Sequence, residues 1–139
     1  MSQPRLLFVC LGNACRSQMA EAFVRHRAAE AVVAASAGVW PLGKIPQKTV
    51  KVMREKGISL EGHKSKGLDA LDVGAFDLVL NMSGVRLDKL PVTVRTWTVQ
   101  DPYGDNIKLY RQVRDEIEKK VSELLDEMLV SAENGMQPK

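Results

Sequence analysis

The chain has 139 residues, 45% of them hydrophobic and 27% charged, with 20 basic against 17 acidic side chains and a formal charge of +3. That length fits one domain over residues 1–139, and the composition excludes disordered, collagen-like and coiled-coil classes. With both charge signs interspersed and only seven aromatics, a nucleic-acid surface is not expected, and a small anion is the better partner.

In chain order, Leu6–Leu11 reads as a strand buried on both faces. It is far too short to cross a membrane, and it meets Gly12-Asn13 too early to be the core of a secretion signal. Two cysteines make no disulfide scaffold, so a reducing, cytoplasmic setting is expected. Ser17 is placed to cap a helix carrying Met19, Ala20, Phe23 and Val24, with His26 on its solvated face.

Val32–Val39 is the second strand, ended by Gly38 and Pro41; Trp40 behind it has two places open to it, the mouth of a pocket and the core, of which the core is the commoner for a tryptophan after a strand. Thr49, Val50, Val52 and Met53 mark a second helix, stopped by Gly57. Phe76–Leu80 and Val92–Val99 are two further strands. The last helix runs from about Ile107 to about Ala132, with Leu109, Val113, Ile117, Val121, Leu124 and Met128 on one stripe. Asp115–Lys119 and Glu116–Lys120 are expected as pairs on its outer face, and the Asn134-Gly135 tail is expected to fray. The alternation predicts an α/β single-domain three-layer sandwich: a central four-stranded parallel sheet, helices on both faces, and a phosphate-binding loop after strand 1.

That loop, Cys10-Leu11-Gly12-Asn13-Ala14-Cys15-Arg16-Ser17, carries the chemistry. Ligands of open α/β sheets bind beyond the carboxyl ends of the strands, and this loop lies there. Gly12 and Asn13 both tolerate left-handed backbone, so the N–H groups of the loop are able to turn inward around a tetrahedral dianion. Arg16 is positioned to clamp two oxygens of such an anion. A thiol at a helix N-terminus and beside a cation ionises readily, which makes Cys10 the nucleophile and Ser17 the hydroxyl that steadies it. Cys15, five residues away, is expected to form a reversible disulfide with Cys10 under peroxide. No metal or organic cofactor is implied; Cys10, Cys15 and a histidine lack the usual zinc spacing.

The run Val9–Ser17, with Ser36-Ala37-Gly38 and Asp101-Pro102-Tyr103-Gly104, resembles the low-molecular-weight protein tyrosine phosphatase family, including its arsenate reductase branch. The resemblance spans nearly the whole chain. It implies a cysteinyl-phosphate on Cys10, equatorial oxygens held by Arg16 and the loop, and Asp101 as general acid. Pro102 restricts the backbone of Asp101, which suits that role. Tyr103 looks like the aromatic wall beside a substrate ring, Leu11 like an apolar rim, and Asn13, Ser36 and His63 like the shell supporting the loop. Ala14 leaves the substrate open among phosphotyrosine, phosphoarginine and arsenate. The implied partner is a phosphorylated protein or a small phosphate or arsenate anion, with the chain a monomer or weak dimer.

Two activities follow from this resemblance. Tyr103 and the acid motif favour hydrolysis of phosphotyrosine or other aryl phosphomonoesters. The Ser17–Glu21 run is similar to the arsenate reductase branch, whose thioredoxin-coupled members carry two further cysteines after the third strand. Residues 80–90 contain none, with Ser83 where the first would stand. An internal relay through that segment is excluded, and the alternative is arsenate reduction by an external low-molecular-weight thiol on Cys10.

Overall fold

The structure, a computed structural model, describes residues 3–133; the expected fraying of Asn134-Gly135 lies outside them. Four parallel strands form one sheet in the order β2-β1-β3-β4: β1 (Arg5–Cys10), β2 (Val33–Gly38), β3 (Leu78–Asn81) and β4 (Val94–Thr96). β1 is central because every residue from Leu6 to Cys10 is apolar and buried. Its side chains alternate between two cores: Leu6, Phe8 and Cys10 on one face, Leu7 and Val9 on the other.

The first core is covered by α1 (Arg16–Ala28), α2 (Gln47–Arg54) and α3 (Ile107–Glu133). Two 3-10 helices, Leu68–Ala70 and Val73–Ala75, lie on the other side with Leu87, Leu90 and Val92. The three layers are those expected, with short 3-10 turns in place of α-helices on the second face. No helix among the described residues is long and apolar enough to cross a membrane.

Several boundaries differ from the sequence reading for physical reasons. β4 is three residues long instead of eight, an edge strand paired only with β3. Thr98 and Val99 leave the ladder, and the Val99 carbonyl turns to Arg16. Phe76 closes the second 3-10 turn, so β3 begins at Leu78. Gly57 takes φ +75 three residues after the end of α2 at Arg54, where the Ile58 amide reaches back to the Met53 carbonyl.

On α3 the buried stripe contains Tyr110 and Leu125 as well as Val113, Ile117, Val121 and Leu124, while Leu109 and Met128 lie at its edges. Neither expected surface pair forms among the described residues. Asp115 is taken instead by Arg114 at 2.8 Å and Lys56 at 4.0 Å.

Candidate active site

The chain leaves β1 at Cys10 and enters α1 at Arg16, and the loop between them closes on itself by hydrogen bonding outward. The carbonyls of Cys10, Leu11 and Gly12 accept from the amides of Val39, Trp40 and Leu42 at 3.1, 2.8 and 2.9 Å. Gly12 O also accepts from Ser65 Oγ at 2.9 Å, and Asn13 O from Gln18 Nε2 at 3.1 Å. With its carbonyls turned out, the loop leaves the amides of residues 11–15 without a protein acceptor among the described residues. Such a ring of free N–H groups at a helix N-terminus is an anion cradle.

Asn13 makes the turn at φ +48; Gly12, expected to share the left-handed region, does not enter it. The fit against β2 is tight. A Cβ at Gly38 would lie 2.8 Å from Asn13 N and 2.9 Å from the Gly12 carbonyl carbon, so Gly38 is what lets the loop approach.

Ser17 is not the cap of α1. Cys15 holds that position without a side-chain bond, and Ser17 lies in the first turn with its hydroxyl 2.9 Å from Cys10 Sγ. Asn13 Nδ2 donates to Ser17 Oγ at 2.7 Å, which leaves the serine proton free to point at the sulfur. Behind Asn13 stands Gln18, fully buried on α1, which the sequence reading placed in the Ser17–Glu21 run without a role at the loop. Its Nε2 donates to Asn13 Oδ1 at 3.0 Å and its Oε1 lies 2.9 Å from His63 Nδ1. His63 thus reaches the loop through Gln18. Burial lowers the pKa of its imidazole, more than Glu21 raises it. Ser36 donates to Glu21 Oε1 at 2.5 Å and makes no side-chain hydrogen bond to the loop among the described residues, while Glu21 pairs with Arg25 at 2.9 Å. His26 is exposed, as expected.

Arg16 is 6% exposed and held from one side. Its Nη1 donates to the carbonyls of Met82 and Val99 at 2.5 and 3.0 Å, and Nη2 lies 3.4 Å from Asp101 Oδ2. Nε is buried with no partner among the described residues. A buried guanidinium N–H with nothing to bond is costly, and an anion seated in the adjoining cradle would satisfy it.

A cleft of about 190 Å³ opens here. Cys10, Arg16, Leu11, Gly12, Ala14 and Cys15 line its floor and walls, and Asp101 and Tyr103 line it too. Asn13 and Ser17 lie behind it. Trp40 and Leu42 complete the lining. Trp40 is 72% exposed beside this mouth, in the pocket-mouth place and not in the core, the commoner place for such a tryptophan. Asp101 accepts from the Tyr103 amide at 3.1 Å, fixing the turn of its own loop. A larger cleft of about 540 Å³ at the opposite end of the sheet has Asp77 as its only ionisable lining residue, and that carboxylate accepts from the Arg5 amide.

The two cysteines, both free, differ in surroundings. Cys15 is directed at Tyr110 OH, 3.7 Å away, with Thr49 also beside it. Burial pushes its thiol up to about 11, so it stays protonated near neutrality.

Residues 5–134 match the family described as low molecular weight phosphotyrosine protein phosphatase. The chain is 34% identical over 127 residues to a putative arsenate reductase of Halobacterium salinarum, covering 86% of this chain and 89% of that protein. Its structure is similar to that of an arsenate reductase in the phosphate-binding state, with a TM-score of 0.82, 27% identity, and 90% and 98% of the two chains covered. It is also similar to an arginine phosphatase from Geobacillus stearothermophilus, with a TM-score of 0.84, 27% identity, and 98% and 99% covered.

Proposed function

Because the chain belongs to the low molecular weight phosphotyrosine protein phosphatase family, in which phosphatases and arsenate reductases share one fold, we propose that it is an arsenate reductase supplied by an external thiol. The observation that carries this reading is the cradle itself. Free amides and the unpartnered Arg16 Nε surround a single sulfur, Cys10, whose companion Ser17 aims a proton at it. The similarity to the Halobacterium protein and to the phosphate-bound arsenate reductase favours arsenic over phosphorus as the reacting centre.

The Cys10 thiolate attacks arsenic, forming S–As as an As–O bond breaks. The departing oxygen leaves as water with a proton from Asp101, whose carboxyl lines the same cleft. An external thiolate then attacks Cys10 Sγ: S–S forms, S–As breaks, and the electron pair stays on arsenic, which departs as arsenite. A second thiol cleaves the mixed disulfide and restores Cys10. In sum, arsenate and two thiols give arsenite, one disulfide and water. Ser17 and the helix dipole stabilise the Cys10 thiolate before it attacks arsenic and again when it leaves the mixed disulfide.

A second reading rests on the cleft rim. Trp40 at 72% and Tyr103 at 53% exposure present aromatic faces beside the cradle, which suits an aryl phosphate hydrolysed through the same Cys10 and Asp101. One experiment separates the two. Reduced protein is given arsenate with a low-molecular-weight thiol, and in parallel an aryl phosphate across pH 5–8. Arsenite formed in step with thiol oxidation supports the reductase. Aryl phosphate hydrolysis without arsenite supports the phosphatase.

A further inference from the structure

Tyr110, in the first turn of α3, takes no part in the steps above, yet it is 1% exposed and stands directly behind the site. Its hydroxyl lies 3.7 Å from Cys15 Sγ, where the anion loop meets α1. The Gly104 backbone, in the turn that follows Asp101, lowers the pKa of the same hydroxyl, and the Tyr110 amide donates to the Asn106 carbonyl of that turn at 3.3 Å. Lys48 of α2 closes the arrangement, with Nζ 5.8 Å above the Tyr110 ring and donating to the Asp105 carbonyl at 2.6 Å. The loop that carries the anion and the loop that carries the acid therefore meet on one buried side chain.

Other restraints on Asp101 are weak. Its contact with Arg16 spans 3.4 Å, longer than a charge-assisted hydrogen bond, and its side chain is 41% exposed. Its bond to the Tyr103 amide is internal to its own turn and sets no distance to the cradle. A phenol hydroxyl buried this deeply keeps its place only through its partners, and here those partners are the two loops.

We propose that Tyr110 is a positioning residue whose hydroxyl fixes the spacing between the Asp101 loop and the Cys10 loop, so that the acid stands over the departing oxygen. The proposal rests on Asp101 as the proton donor. Tyr110 touches neither substrate nor sulfur of Cys10. Its hydroxyl stays protonated because burial raises its pKa, so it serves as a joint and not as a second acid.

The test is Tyr110→Phe measured alone and in an Asp101→Asn background, following arsenate-dependent thiol oxidation and aryl phosphate hydrolysis, with the affinity for inorganic phosphate measured alongside. A displacement near 1 Å costs on the order of 100-fold, so Tyr110→Phe is expected to lower turnover by about 10–100-fold. Phosphate affinity should change by less than about twofold, and the second variant should lose nothing further. An equal fold-loss in both backgrounds, or no loss in the native background, overturns the proposal. A readout that needs no variant is amide exchange in the native protein: Gly104 N–H is expected to be protected, and exchange at the unfolded-chain rate also overturns it. If native protein turns over neither substrate, the functional reading fails, while exchange at Gly104 still judges the joint.

Discussion

At the scale of single residues, Cys10 and Cys15 are five positions apart and both buried, but their neighbours give them opposite chemistry. Cys10 faces free amides, a guanidinium and a serine proton. Cys15 faces a phenol and has its thiol held at about 11 by burial. Cys10→Ser is expected to abolish turnover and keep phosphate binding, read by titration of phosphate into the variant; retained turnover would remove Cys10 as nucleophile. The Cys10–Cys15 disulfide expected from the sequence requires the Cys15 thiolate to attack oxidised Cys10. With a pKa near 11, only about one thiol in 10⁴ is ionised at pH 7, and closure should quicken about tenfold per pH unit until the thiol titrates. Mass spectrometry after brief peroxide treatment should find mainly over-oxidised Cys10 at pH 7 and more disulfide at pH 9. A disulfide yield independent of pH would contradict this.

Residue by residue, the sequence was most legible where the backbone itself makes the chemistry. Cys10, Arg16 and the small residues between them sit on a strand-to-helix turn whose function needs amides more than side chains. Gln18 was read only within the Ser17–Glu21 run and its place behind the loop was missed, because one polar residue among several on a helix carries no signal of its own; only folding brings Lys64 and His63 against it. For Trp40 the core was preferred to the pocket mouth because a tryptophan after a strand is normally buried, and here the strand ends at the mouth of a cleft.

Between elements, two contacts decide whether the site is held. The first is the approach of the loop to β2 at Gly38, where a methyl group would stand 2.8 Å from a backbone nitrogen. Overpacking of that kind costs about 1–3 kcal/mol. Gly38→Ala is therefore expected to lower stability by about that much in a denaturant titration. Where that strain falls on the loop it should also weaken phosphate binding, by about fivefold to about 100-fold, since each 1.4 kcal/mol corresponds to a factor of ten. Unchanged phosphate affinity would show that the loop tolerates the methyl.

The second contact joins α2 to α3. Glu55 receives Arg111 at 2.8 Å and Arg114 at 2.7 Å, and Arg114 also donates to the Val52 carbonyl at 3.0 Å. The hydrogen bonds from Arg111 lead in holding the Glu55 carboxyl at about 2 against an ordinary 4.5. A carboxylate depressed on folding stabilises the native state above its unfolded pKa, and that contribution fades as pH falls through the folded value. Glu55→Gln should melt below the native protein at pH 7, with the difference shrinking between pH 4.5 and pH 2. A difference that persists unchanged to pH 2 would assign the effect to packing. Periodicity read α2 and α3 as helices, but it placed the charges of α3 in pairs along its own surface. Other partners won: Lys56, brought within reach by the packing of α2 against α3, and the neighbouring Arg114 take Asp115.

Over the whole molecule, the strand order 2-1-3-4 puts β1 between β2 and β3, so successive connections leave it on opposite sides and open a crevice at its carboxyl end. Everything placed in the site arrives at that end: Trp40 after β2, Met82 after β3, Val99 and Asp101 after β4. The parallel alternation was legible from apolar runs and breakers. The covering of the second face by 3-10 turns was not, since three-residue turns leave no period to read.

The central claim is that Cys10 is resolved by a thiol from outside the chain. Its most direct test is the intact mass of reduced protein mixed with arsenate and one equivalent of a low-molecular-weight thiol, followed by peptide mapping without reductant. The account predicts one thiol adduct, on Cys10, with arsenite released and Cys15 unmodified. A Cys10–Cys15 disulfide formed with arsenite, or no modification of Cys10 in protein that still hydrolyses an aryl phosphate, would contradict it.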